Sequence, residues 1–155
     1  DPLALIDTFT MIGPSKIIFH IETLDNDMVM HFFDTLPEIT RQTIRFELAF
    51  GVESDVSVIL PYMESIDSIQ CMGISRVGFQ GQAFDPRVID QIKKLRELYP
   101  EKTIAVDGGV NEETIASLAR AGVTEFVVGS AIFGNDDPRG TIERLKTRCN
   151  AAFTA

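Results

Sequence analysis

Three short segments carry the residue types from which a reactive site could be built. Val106-Asp107-Gly108-Gly109-Val110 ends an apolar run with a carboxylate followed by two glycines. A carboxylate there can move a proton or ligate a metal, and the glycines leave room for a ligand beside it. Gly78-Phe79-Gln80-Gly81-Gln82 spaces two glycines so that backbone N–H groups can approach an anion. Val128-Gly129-Ser130-Ala131-Ile132-Phe133 offers backbone N–H groups and the Ser130 hydroxyl. If residues 131–134 form a helical turn, its start favours a phosphate. Each segment also has a plainer reading, as a capping Asp in a tight turn or as a glycine turn between strand and helix. Their succession at neighbouring strand ends strengthens the chemical one. His20 is read as a structural hydrogen-bonding residue, with a site role left open because Glu22 would share its face. His31 is read as structural or exposed. Met72 is read as core, with the mouth of the sheet as the alternative.

The elements that must hold these residues alternate along the chain. Asp1-Pro2 reads as the start of a helix carrying Leu3, Ile6 and Phe9 on one face, stopped by Gly13-Pro14. Strands are expected at Lys16 to Glu22, Ile44 to Phe50, Asp67 to Ile74, Thr103 to Asp107 and Glu125 to Val128. Helices are expected from Asp25 to Leu36 and from Ser54 to Met63. Another opens at Asp85-Pro86, with Val88, Ile92, Leu95 and Tyr99 at helical spacing. A further helix is capped by Asn111 and carries Ile115, Leu118 and Ala119 before Gly122. The last opens at Asp137-Pro138, with Ile142, Leu145 and Cys149 on one stripe. This alternation specifies a parallel α/β sheet, with Gly, Asp and Ser at the strand C-termini, the functional edge of such folds.

Composition bounds the remaining choices. The 155 residues fit a single domain, and 45% hydrophobic with 24% charged residues is ordinary for a globular chain. A formal net charge of −9 argues against nucleic acid and anionic lipid as partners. No apolar run is long enough for a membrane span, and Asp1-Pro2 opens no secretory signal. Cys71 and Cys149 read as free thiols in a reducing, cytoplasmic setting.

The segments together resemble the ribulose-phosphate 3-epimerase family. Val77 to Phe84 is similar to that family's P-G-F-x-G-Q-x-F signature, with Val77 in place of Pro. Pro86, Ile92, Leu95-Arg96 and Pro100 continue the resemblance. So do Val106 to Asn111, Thr114-Ile115, Ala121-Gly122 and Gly129 to Phe133, and upstream Ile18 to Glu22 and Pro61-Tyr62. The resemblance implies a (β/α)8 barrel of the ribulose-phosphate-binding type, present here as a single partial domain, residues 1–155, of five parallel strands with flanking helices. The family's first three strands are absent, which points to a piece of a longer barrel.

The same resemblance implies an isomerase that interconverts D-ribulose 5-phosphate and D-xylulose 5-phosphate through an enediolate, assisted by a divalent metal (zinc, iron, manganese or cobalt). Asp107 would be one of two proton-transferring carboxylates and a metal ligand. Gly78, Phe79, Gln80 and Gly81 would cover the substrate. Gly108, Gly109, Gly129 and Ser130 would bind its phosphate. The implied partner is a ketopentose phosphate, and a homo-oligomer is compatible with the pattern. The family's second Asp, its metal-binding histidines and a substrate-contacting Ser fall on the absent strands, and its Asn-Pro is replaced around Gly51-Val52. The alternative expectation is a non-catalytic sugar-phosphate-binding or assembly fragment.

Overall fold

The computed structural model describes residues 5–76, 78 and 81–153. Five parallel strands form one sheet in chain order: β1 (Lys16–His20), β2 (Arg45–Phe50), β3 (Ser68–Met72), β4 (Thr103–Asp107) and β5 (Glu125–Val127). Seven helices connect and flank them among the described residues: α1 (Ile6–Met11), α2 (Asn26–Thr35), α3 (Glu38–Thr43), α4 (Arg87–Leu98), α5 (Ile115–Ala121), α6 (Ser130–Phe133) and α7 (Pro138–Phe153). The expected parallel α/β architecture is therefore present. The expected start of the first helix, at Asp1, Pro2 and Leu3, lies outside the described residues.

Two connections differ from expectation. Residues 54–63 form two short 3-10 turns, Val56–Val58 and Leu60–Tyr62, rather than one α-helix. Pro61 explains this, because it has no N–H to donate and its ring clashes with the preceding helical turn. Pro37, expected only to stop α2, also starts α3, where its carbonyl accepts from the Thr40 and Arg41 N–H groups. The first strand ends at His20, and Ile21–Thr23 turns away as a 3-10 segment.

Register fixes which side chains face inward. Ile18 pairs with Glu47, Glu47 with Ser68 and Ser68 with Thr103. His20 pairs with Ala49, Ala49 with Gln70 and Gln70 with Ala105, while Met72 pairs with Asp107 and Asp107 with Val127. Strand side chains alternate, so these residues line one concave face. The alternate set, including Phe19, Phe46, Leu48, Ile69, Cys71, Ile104 and Val106, packs against the helices through Val29, Phe33, Val88, Ile92, Leu95 and Leu118 in a buried core. Phe32, Phe33, Phe19 and Phe46 meet edge-to-face at ring separations of 5.1 to 5.8 Å. On α7, Leu145 is buried, whereas Ile142 stays exposed and Cys149 half-buried, so the expected stripe is only partly covered.

The sheet is strongly curled. Lys16 Nζ, on the first strand, donates to Glu125 Oε2 on the last strand at 2.9 Å and to Glu47 Oε2 at 3.1 Å. In a flat sheet those outer strands would stand roughly 19 Å apart, at about 4.8 Å per strand, too far for the pair to meet. Ser68 Oγ also donates to Glu47. Glu47 is fully buried, and burial of Lys16 is outweighed by its two carboxylate partners, which raise its affinity for the proton. This ionic cluster lies at the N-terminal end of the concave face.

Candidate functional site

At the opposite end of the same face, the strand C-termini and their loops surround a cavity of about 440 Å³. β1 contributes His20, β3 Met72, β4 Asp107 and β5 Val127. The loop after β3 contributes Gly78, Gly81 and Gln82, the loop after β4 Gly108 and Gly109, and the loop after β5 Gly129 and Ser130. Seven residues singled out in the sequence thus meet in one place: Asp107, Gly78, Gly81, Gly108, Gly109, Gly129 and Ser130. Phe79 and Gln80 lie outside the described residues.

Gly108 and Gly109 are required by backbone conformation and packing. Their φ values are +97° and +69°, a region that side chains rarely adopt. A Cβ on Gly108 would sit 2.9 Å from the Ile74 side chain, and one on Gly109 would sit 2.8 Å from Phe84 Cα. The space beside them is therefore filled by Ile74 and Phe84 rather than kept for a ligand. What the cavity receives is their backbone. Around Gly129 a Cβ would meet nothing within 4 Å, so that position is open. Residues 130–133 do form the short helical turn, with the Gly129 carbonyl accepting from the Ile132 and Phe133 N–H groups at 3.0 Å.

The loop after β3 is tied down at its ends. The Gly73 N–H donates to Asp107 O at 2.7 Å, and the Asp85 N–H donates to Gly73 O at 2.8 Å. Asp85 accepts from Arg87 and from Ser75 Oγ, which hold its carboxyl well below the usual range.

Asp107 is half-buried, and burial pushes its carboxyl upward. The Gly108 N–H and the nearby His20 offset part of that shift without cancelling it. A half-buried carboxylate with a raised proton affinity, facing a cavity, has the environment that general acid–base groups need. His20, read from sequence as structural with a site role left open, lines this cavity. Met72 is both buried and cavity-lining, so its two readings merge. Glu22 does not join them at Asp107. Burial pushes its carboxyl up, but the Gly51 N–H and Ser54 Oγ, each at 2.7 Å, hold it below the ordinary value. It lines a separate cavity of about 490 Å³ that shares His20 as a wall.

The described residues do not fit a metal centre by themselves. No group of three or more His, Cys, Asp or Glu side chains among them could hold a metal ion. A divalent cation ordinarily takes four or more donors, and Asp107 is the one carboxylate among the described residues lining the cavity.

A curled parallel sheet wrapped by helices, with its polar cavity at the strand C-termini, defines a (β/α)-barrel protein. The ribulose-phosphate 3 epimerase family model matches residues 1–133, and the chain belongs to that family. It is 33% identical to the ribulose-phosphate 3-epimerase of Mycobacterium bovis, over 90% of this chain and 60% of the relative. It is 31% identical to that of Escherichia coli K12, over 92% and 63%. The chain thus spans less than two thirds of the length of these relatives. The fold also matches 3-hexulose-6-phosphate synthase from Salmonella typhimurium, with a TM-score of 0.67 at 16% identity, covering 97% of this chain and 66% of that one. No helix among the described residues is long and apolar enough to cross a membrane.

Proposed function

We propose that this chain is the C-terminal part of a sugar-phosphate isomerase barrel that interconverts D-ribulose 5-phosphate and D-xylulose 5-phosphate. The observation that carries the reading is the half-buried Asp107 carboxyl, raised in proton affinity, facing a cavity bordered by glycine backbone. Epimerisation at C3 needs one group to take the proton from one face and another to return a proton to the opposite face. Asp107 takes one of these roles, and the enediolate forms between the two transfers. The phosphate is held by backbone around Gly108, Gly109, Gly129 and Ser130. Among the described residues Asp107 alone would contribute a carboxylate to a metal shell, so no step is assigned to a metal.

The second proton-transfer group falls to strands beyond the five described. The exposed Ile18 and Val127 on the inner faces of the two outermost strands support this, since they mark where further strands would pack. The competing reading, a fragment that binds sugar phosphate without catalysis, draws on the same open edges. Conversion of D-ribulose 5-phosphate separates the two. The 155 residues alone are expected to be inactive, and the same residues within a complete barrel active. Full-rate conversion by the isolated chain would contradict the need for a second group. An inactive complete barrel would favour the binding fragment.

A further inference from the structure

The loops that follow the five strands, residues 21–25, 51–55, 73–86, 108–114 and 128–137, frame the C-terminal end of the sheet. Four of them carry two acidic residues each, and the third carries one, Asp85. Against these nine acidic residues stands one basic residue, Arg76. Its guanidinium enters no ion pair among the described residues, and the residue is exposed. Arg87 is shared between Asp85 and Glu53, and Arg139 stands at the start of α7, beyond the loops that carry the cavity-lining residues.

The backbone at Arg76 is held from both sides. Ser75 Oγ donates to Asp85 Oδ2 at 2.8 Å, and Gln82 Nε2 donates to the Arg76 carbonyl. Gln82 itself lines the cavity beside Asp107, as does Gly78, two residues beyond Arg76. Arg76 is therefore tied through its backbone to a residue that lines the cavity, and no Lys or Arg is among the described residues lining it. A phosphate dianion approaching this end of the molecule meets a field of carboxylates. Neutral N–H groups do not supply the opposite charge that would balance it. A guanidinium does, and its fork of donors matches phosphate oxygens.

We infer that Arg76 determines specificity for a phosphate-bearing ligand, pairing with the anionic group held in the cavity that Asp107 and Ser130 line, an assignment that rests on the phosphate site proposed above. Arg76 carries no part of the proton transfer. Its contribution is to binding and to electrostatic attraction.

Titration of the chain with inorganic phosphate, followed by amide chemical shifts, tests this. Arg76→Gln is expected to weaken phosphate binding about tenfold, the loss of one charge-assisted hydrogen-bonding partner. Arg76→Lys should keep part of the affinity. The salt dependence of binding should be shallower in Arg76→Gln, and the melting temperature should not move in either variant. Equal affinity in Arg76→Gln and the unsubstituted chain would overturn the inference while leaving the phosphate site standing. Equal losses in the Gln and Lys variants would also overturn it, because loop structure rather than charge would then be responsible. A chain that binds no phosphate in any form would overturn both this inference and the phosphate site beneath it.

Discussion

The two ends of the concave sheet face hold carboxylates under opposite conditions. Glu47, at the N-terminal end, is completely buried yet accepts from Lys16 and Ser68, and Lys16 in turn reaches Glu125. Asp107, at the C-terminal end, is only half-buried but enters no ion pair among the described residues, and burial raises its proton affinity. The more deeply buried carboxylate is thus a structural bolt, and the shallower one is left available. Burial alone does not mark a reactive group. Burial without a paired charge, beside a cavity, does.

Breaking the N-terminal cluster should produce the largest effect on folding. Lys16→Met leaves the Glu47 carboxyl buried and without its cation, which costs about 3 kcal/mol, the low end for a broken buried pair because Lys16 is itself partly exposed. Chemical denaturation reads this directly. A loss below about 1 kcal/mol would mean the cluster behaves as a surface pair.

A smaller loss is expected at the cavity rim. Gly109→Ala introduces a methyl group 2.8 Å from Phe84 Cα at a φ of +69°, which costs about 1–3 kcal/mol of strain. An unchanged denaturation midpoint would show that the Phe84 backbone yields freely.

The smallest effect, and of opposite sign, belongs to Asp107. Its folded-state proton affinity is raised, so its contribution to stability is complete below its ordinary pKa of 3.8 and is lost as pH rises through the folded value. At neutral pH the charged form is a net cost. Asp107→Asn should therefore melt at the same temperature or higher at pH 7, with any gain disappearing in acid. A lower melting temperature at pH 7 would show that Asp107 is a structural partner like Glu47.

Local features carried most of what the sequence disclosed. Four of the five strands are short runs followed within two residues by Gly, and Asp107-Gly108-Gly109 and Gly129-Ser130 mark the site within a few residues each. What escaped depends on neighbours distant in sequence. Glu47 gave no sign of full burial, because its partner Lys16 lies 31 residues away and joins it only through strand register. His20 could not be assigned to the cavity until the curl of the sheet turned it towards Asp107. The space reserved beside Gly108 and Gly109 proved to be filled by Ile74 and Phe84, which arrive from the preceding loop. Pro61 and Pro37 were visible, but their consequences, two 3-10 turns and an extra helix, depend on which side of the proline the chain continues.

The most direct test of the contrast between the two ends is conversion of D-ribulose 5-phosphate into C3-deuterated D-xylulose 5-phosphate in D2O, which needs both proton transfers, followed by NMR in a complete barrel containing this chain. Asp107→Asn should lower deuterium incorporation at least a hundredfold, the scale of a lost acid–base group, while Lys16→Met should leave the rate per folded molecule unchanged. Incorporation by Asp107→Asn at the unsubstituted rate would contradict the assignment of proton transfer to the C-terminal end.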